Sequence, residues 1–247
     1  MGLTIYYRLS VAKNLSPEVV KELVERAAGY ARKIGCAEVG EPMLAFREPV
    51  FSQLFVRAGR EEDACFGQVP ARAGWLVEVW PGEGCESAHF GLCQYPREAP
   101  YQLHGRTGWV KTEYRRGWLF KSSCKTQYAA ENGWEHFLRC HKTILSILKF
   151  WRSLGVTVKV NDEGGYWRTR SEKGLREILN RYDGLMAVVA GAFKDAADES
   201  GAGVSVSSPI CARKDFERLE AEGWEQFGEQ IAELASAVRT IRNGEPK

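Results

Sequence analysis

The residues best suited to chemistry fall in three short stretches. His141 stands on an otherwise apolar face of a periodic segment. Asp162 and Glu163 open the run Asp162-Glu163-Gly164-Gly165-Tyr166-Trp167, and Lys125-Thr126-Gln127 closes the run that begins at Lys121. An imidazole oriented by a carboxylate is a general base, and a lysine offers charge to an anion. The pattern therefore marks His141, Asp162 and Glu163 as catalytic, and Lys125, Thr126, Gln127, Tyr166 and Trp167 as ligand-binding, with the two aromatic rings as walls. The ligand expected is a small polar or anionic molecule, nucleotide-like in character, with hydrolysis as a reaction within reach; no cofactor follows. The competing reading makes His141 a core residue whose ring nitrogen Asp162 satisfies, while Gly164-Gly165 simply turns the chain. The protein is then a non-enzymatic interaction or structural protein, with a protein partner.

Element geometry supports the meeting of these residues. From His141 to the end of its helix is about 20 Å at a rise of about 1.5 Å per residue. The strand from Val156 to Asp162 returns about 20 Å at about 3.3 Å per residue. A tight connection at Gly155 makes the two antiparallel, so His141 is expected level with Asp162 and Glu163. Lys125, Thr126 and Gln127 are expected at the N-terminus of the His141 helix, where the dipole favours an anion.

Weaker signals point elsewhere. His136 and Cys140, four apart, share a helix face as metal ligands can, but His136 and His141 diverge by about 140° around the helix, so no metal site is assigned. Cys124 with a histidine partner has the elements of a thiol nucleophile but matches no cysteine-hydrolase pattern. Arg106 to Lys125 interleaves basic residues with Trp109, Tyr114, Trp118 and Phe120, a form shared by nucleic-acid surfaces and amphipathic hairpins. The phosphate-loop, zinc-peptidase, serine-hydrolase and dinucleotide fingerprints are all missing from the sequence.

The elements that must position these residues follow from periodicity. Leu3 to Leu9 reads as a strand. A helix follows, with Ser16 as cap, Pro17 at its first position and Gly35 at its end. From Glu38 to about Phe120 the pattern is of strands and loops: Pro81-Gly82-Glu83-Gly84 turns a hairpin joining Trp75–Trp80 to the stretch after Cys85, and Tyr95 to Trp109 reads as a long loop. Trp118 to Phe120 is a short strand, followed by a helix through Phe137, His141, Ile144, Leu148 and Trp151. Val156 to Val160 is the next strand. A helix capped by Ser171 turns Leu175, Ile178, Leu179, Tyr182, Met186, Val189 and Phe193 inward. Val204 to Val206 is a short strand, and Phe216 to Ile241 a last helix weakened by Gly223 and Gly228. The sum is an α+β fold, a strand-rich middle framed by a βα unit and a βαβα-type C-terminal half, with mixed-sheet α/β as the alternative. A single domain over 1–247 is expected, the alternative being a strand-rich 1–116 and a helix-rich 117–247.

The N-terminal segment Met1-Gly2-Leu3-Thr4-Ile5-Tyr6-Tyr7, the segment Lys125-Thr126-Gln127-Tyr128-Ala129 and the turn Asp162-Glu163-Gly164-Gly165-Tyr166-Trp167 resemble a group of uncharacterised bacterial proteins with the same order of pieces. The resemblance spans both ends and leaves Glu41 to Gly108 unmatched. It implies a prokaryotic cytoplasmic origin and carries no activity. Composition agrees: with 247 residues, 44% hydrophobic and 27% charged, the chain can bury a core unaided. A net charge of +2 speaks against nucleic acid as a bulk partner. Seven cysteines without a CxxC pair speak against a disulfide framework and for a reducing cytoplasm. The longest apolar run, Leu185 to Phe193, is about half of what a membrane span needs.

Overall fold

The computed structural model describes residues 3–47, 49–58, 65–103, 106–112, 114, 116–200 and 209–242. The chain forms two compact units, Thr4–Arg168 and a second made of Thr169–Lys247 with Met1–Leu3.

In the larger unit, alternation along β1 (Thr4–Val11) buries Ile5, Tyr7 and Leu9 and turns Tyr6 outward. Ser16 caps α1 (Pro17–Lys33), its Oγ accepting from the Val19 amide at 3.4 Å, with Pro17 in the first turn. Short strands β2 (Glu38–Val39) and β3 (Met43–Leu44) precede α2 (Pro49–Ser52) and the hairpin β4 (Leu54–Ala58) with β5 (Cys65–Val69). Next come β6 (Ala73–Trp80) and β7 (Ala88–Gln94), joined by the expected turn with Val79 opposite Ala88. The pair β8 (Glu98–Leu103) and β9 (Arg106–Lys111) follows, then β10 (Trp118–Lys125), α3 (Trp134–Ser153), β11 (Thr157–Asp162) and the short α4 (Tyr166–Thr169).

The main sheet runs β11-β1-β10-β7-β6-β2, with β3 also on β6. All pairings among the described residues are antiparallel, so the fold is α+β and the α/β alternative falls. One face carries α1 and α3, whose Val20, Val24, Ile144, Leu148 and Trp151 join Ile5, Leu9 and Phe90 in one core. Tyr30 and Phe150 stack at 4.2 Å between the two helices. On the other face of β7, Phe51 stacks on His89 at 4.0 Å, while the outer faces of β11, β1 and β10 keep exposed Tyr6, Lys159 and Asn161.

Three expectations need correction. Tyr95 to Trp109 is no loop: it contains β8 and most of β9, with Pro100 opposite Trp109. Each strand of a two-stranded ribbon has a free edge, so a proline is tolerated there. The short strand at Trp118 continues to Lys125, because its register with β1 runs from Val11 opposite Trp118 to Thr4 opposite Lys125. The basic and aromatic stretch from Arg106 to Lys125 is therefore not one hairpin: β9 pairs β8, and β10 pairs β1.

In the smaller unit Ser171 caps α5 (Glu172–Ser200), its Oγ accepting from the Gly174 amide at 3.0 Å, and α6 (Phe216–Arg242) packs against α5. The buried stripe of α5 is not the expected one. Leu175 and Leu179 are buried, but they are joined by Asp183, Ala187, Val188 and Ala190, whereas Ile178, Tyr182, Met186 and Val189 are only partly buried and Phe193 is 64% exposed. Small residues, not bulky ones, bring the helices together, and Gly223 lies so near Gly184 that a Cβ there would collide with the Gly184 carbonyl. Asp183 receives Arg213 Nη1 at 2.6 Å, and Arg213 also binds Asp215. The expected strand at Val204 to Val206 lies outside the described residues.

Helix propensity alone favours Gly223→Ala by about 1 kcal/mol. Overpacking at this crossing reverses the sign: the variant is expected to lose about 1–3 kcal/mol in chemical denaturation. A gain in stability would mean the two helices do not cross at Gly223.

Candidate functional site

His141, Thr126 and Asp162 meet as expected, but beneath the surface. The His141 side chain is fully buried, and Asp162's is 2% exposed. Three elements converge on the ring: α3 carries it, Thr126 follows β10, and Asp162 ends β11. Thr126 Oγ1 lies 2.9 Å from His141 Nδ1, and Asp162 Oδ1 lies 3.3 Å from Nε2 in a bent contact. An ionised carboxylate only accepts, so Nε2 carries a proton; in the neutral ring the Thr126 hydroxyl then donates to Nδ1. Phe137 lies against the ring, with centroids 5.5 Å apart, and Tyr166 meets it edge-on at 6.4 Å.

Asp162 also organises its own loop. Oδ1 accepts from the Gly164 amide at 2.9 Å and Oδ2 from the Trp167 amide at 2.7 Å, the latter capping α4. Burial pushes the Asp162 carboxyl up most strongly of any single influence. The His141 contact and charge, with the Trp167 and Gly164 amides, outweigh it and hold the pKa below the usual carboxylate value.

The other predicted residues are spread over structural tasks. Glu163 Oε2 accepts from the Thr4 amide at 2.8 Å, and the Glu163 amide donates to the Thr4 carbonyl, extending the β1–β11 ladder. Lys125 ends β10, where its Nζ lies 3.1 Å from Tyr128 Oη and over the Tyr128 ring. A 3-10 turn at Gln127–Asn132 separates it from α3, whose N-cap is Gly133, so Lys125, Thr126 and Gln127 do not sit at that helix terminus. Gln127 is buried, and Arg152 covers the Trp167 ring at 5.1 Å. His136 turns away from His141: its Nε2 lies 2.9 Å from the Glu83 carbonyl and 3.6 Å from Cys140 Sγ. Among the described residues no three metal-donor side chains converge. Cys124 is buried, and burial pushes its thiol well up, which is the reverse of nucleophile activation.

A different constellation lies open. Strand register sets Arg8 directly opposite Lys121 on one side and Lys159 on the other, three cations in one row across β10, β1 and β11. The neighbouring row is Ser123, Tyr6 and Asn161, with Tyr6 46% exposed. Arg8, Lys121, Lys159, Tyr6 and Asn161 line a shallow groove of about 350 Å³, to which Ser122 also contributes. Sequence reading missed this site because its three charges are scattered over 150 residues and meet only through register. The local signal was there, in each cation's place on an outward strand position.

The chain matches no known family model, and comparison with curated proteins and with solved structures finds no match.

Because folding lowers the Asp162 pKa, its carboxylate contributes stability that is fully present above the unfolded value of about 4 and lost as pH falls through the lower folded value. Asp162→Asn is therefore expected to be less stable than wild type at pH 7, with the gap closing in the acid limb below about pH 4. Denaturant melts from about pH 7 to pH 2 test this, and a gap independent of pH would remove the charged interaction. His141→Ala is expected to cost about 3–5 kcal/mol, since it leaves a buried carboxylate without its partner.

Proposed function

We propose that this protein binds a nucleotide-like, phosphate-bearing ligand on the open face of β11, β1 and β10, and performs no hydrolysis on it. The single observation behind this is the row Lys159, Arg8 and Lys121. A guanidinium offers paired donors to phosphate oxygens, and the flanking ammonium groups add point charges. One row away, Tyr6 offers a ring for base stacking, with Asn161 beside it as a hydrogen-bonding group. The groove volume falls within the range of small-molecule sites.

Hydrolysis needs a base that reaches solvent. His141 is fully enclosed, its Nδ1 bonded to Thr126 and its Nε2 in contact with Asp162, which favours the structural reading of His141 and Asp162. The side chains lining the groove are Tyr, Arg, Lys, Ser, Val and Asn, none of them an ordinary general base at neutral pH.

Thermal unfolding with ATP, AMP and inorganic phosphate tests the reading. At 100 times the dissociation constant a ligand adds about 2.7 kcal/mol, raising the midpoint by roughly 5–10 °C for a chain of this size. Lys159→Glu is expected to abolish the shift. His141→Ala should retain the shift. Loss of the shift in His141→Ala alone, or release of phosphate from ATP by wild type but not by that variant, would return the site to the buried histidine.

A further inference from the structure

The face of β10, β1 and β11 that turns away from α1 and α3 is laid out in parallel tracks. Lys121, Arg8 and Lys159 form one row across the three strands, and Ser123, Tyr6 and Asn161 form the next. With strands about 4.8 Å apart, the cationic row spans about 10 Å at the backbone. The two rows lie two residues apart along each strand, about 6.6 Å. No carboxylate occupies either row. Lys159 and Tyr6 are exposed, and β11 ends the sheet, so the cationic track runs out to an edge. The groove over these rows is shallow, and strand residues alone line it.

We propose that the occupant of this face is single-stranded nucleic acid, with successive phosphates on the cationic row and a base stacked on Tyr6. The proposal rests on the reading of this face as a phosphate-ligand site and names the class of that ligand. A single strand carries its phosphates along one side and its bases along the other, which matches a cationic row beside a row centred on an aromatic ring. Lys121 and Lys159 stand on opposite sides of Arg8, so consecutive phosphates of one chain can meet all three cations. A lone nucleotide on so shallow a face keeps much of its surface in water, whereas small-molecule sites enclose most of their ligand. A polymer makes up that loss by repeating the phosphate contact and adding the stack. The net charge of +2 supplies no bulk attraction for a polyanion, so the local row must supply it. A duplex does not fit, because its bases are stacked on one another and their faces cannot reach Tyr6. Phosphodiesters and base faces are common to RNA and DNA, and these are the groups the two rows meet.

The test is fluorescence anisotropy of labelled oligouridylate and oligothymidylate, each of about twelve nucleotides, with the folded full chain, competed by UMP and by ATP. Both oligomers are expected to bind, roughly tenfold or more tighter than UMP. Three neutralised phosphates give a logarithmic salt slope of about −2, a loss of about 20-fold in affinity between about 50 and 200 mM salt. Lys159→Gln is expected to make that slope shallower by about 0.7. Tyr6→Ala is expected to weaken binding by about 5- to 150-fold with the slope unchanged. Lys21→Gln, on α1 over the opposite face of the sheet, should alter neither affinity nor slope. Oligomers that bind no more tightly than UMP, while ATP still raises the melting midpoint, would overturn the proposal and leave the phosphate-ligand reading standing. Absence of binding by ATP, UMP and both oligomers would overturn the two together. Equal affinity for a duplex of the same length, or an equal loss in Lys21→Gln, would overturn the proposal as well.

Discussion

An imidazole sealed from water draws polar partners to its ring nitrogens, and in this chain that requirement brings three elements together at one point. His141 holds α3 to the residue after β10 through Thr126 and to the end of β11 through Asp162. Asp162 in turn fixes the turn that follows it through the Gly164 and Trp167 amides. The low polarity that makes an unpaired group costly here also makes a satisfied network specific, because any slip of α3 along the sheet strands a charge or a ring nitrogen. The surrounding apolar contacts supply most of the stabilisation. The polar triad selects the register in which they form.

The pairing of His141 with Asp162 was legible because it depends on two short spans of known rise joined by a tight turn, and errors in such a calculation stay small. Ser16, Pro17, Gly155 and Ser171 were likewise readable, since a cap or stop acts on its immediate neighbours. What sequence could not reveal was burial: the same residues at the same distances make an open pocket or a closed brace, depending on how deeply α3 sinks into the sheet. Pairing partners of distant strands were also hidden, so β8 and β9 read as loop and the cation row as unrelated charges. In α5 the bulky apolar residues drew attention to the wrong stripe, because close helix crossing is built from glycine and alanine, which carry little hydrophobic signal.

The sheet of the larger unit divides its labour by face. Toward α1 and α3 it presents Ile5, Tyr7 and Leu9 along β1, each nearly or fully buried, and the residues between them point the other way. Strict alternation lets one strand serve the core and the surface without compromise to either. A charge change on the outer face therefore leaves the core untouched. That separation allows a binding surface to vary while the fold persists.

The placement of β1 has a consequence for how the molecule is made. It leaves the ribosome well before its neighbours β10 and β11, so Thr4 waits about 120 residues for Lys125 and longer still for the end of β11. At roughly 5–20 residues per second, that is a delay of several seconds or more. During it Ile5, Tyr7 and Leu9 stand on a strand with two unpaired edges. Such a segment is a target for chaperones and for other nascent chains, and the sheet can close only after the last of its strands has been synthesised.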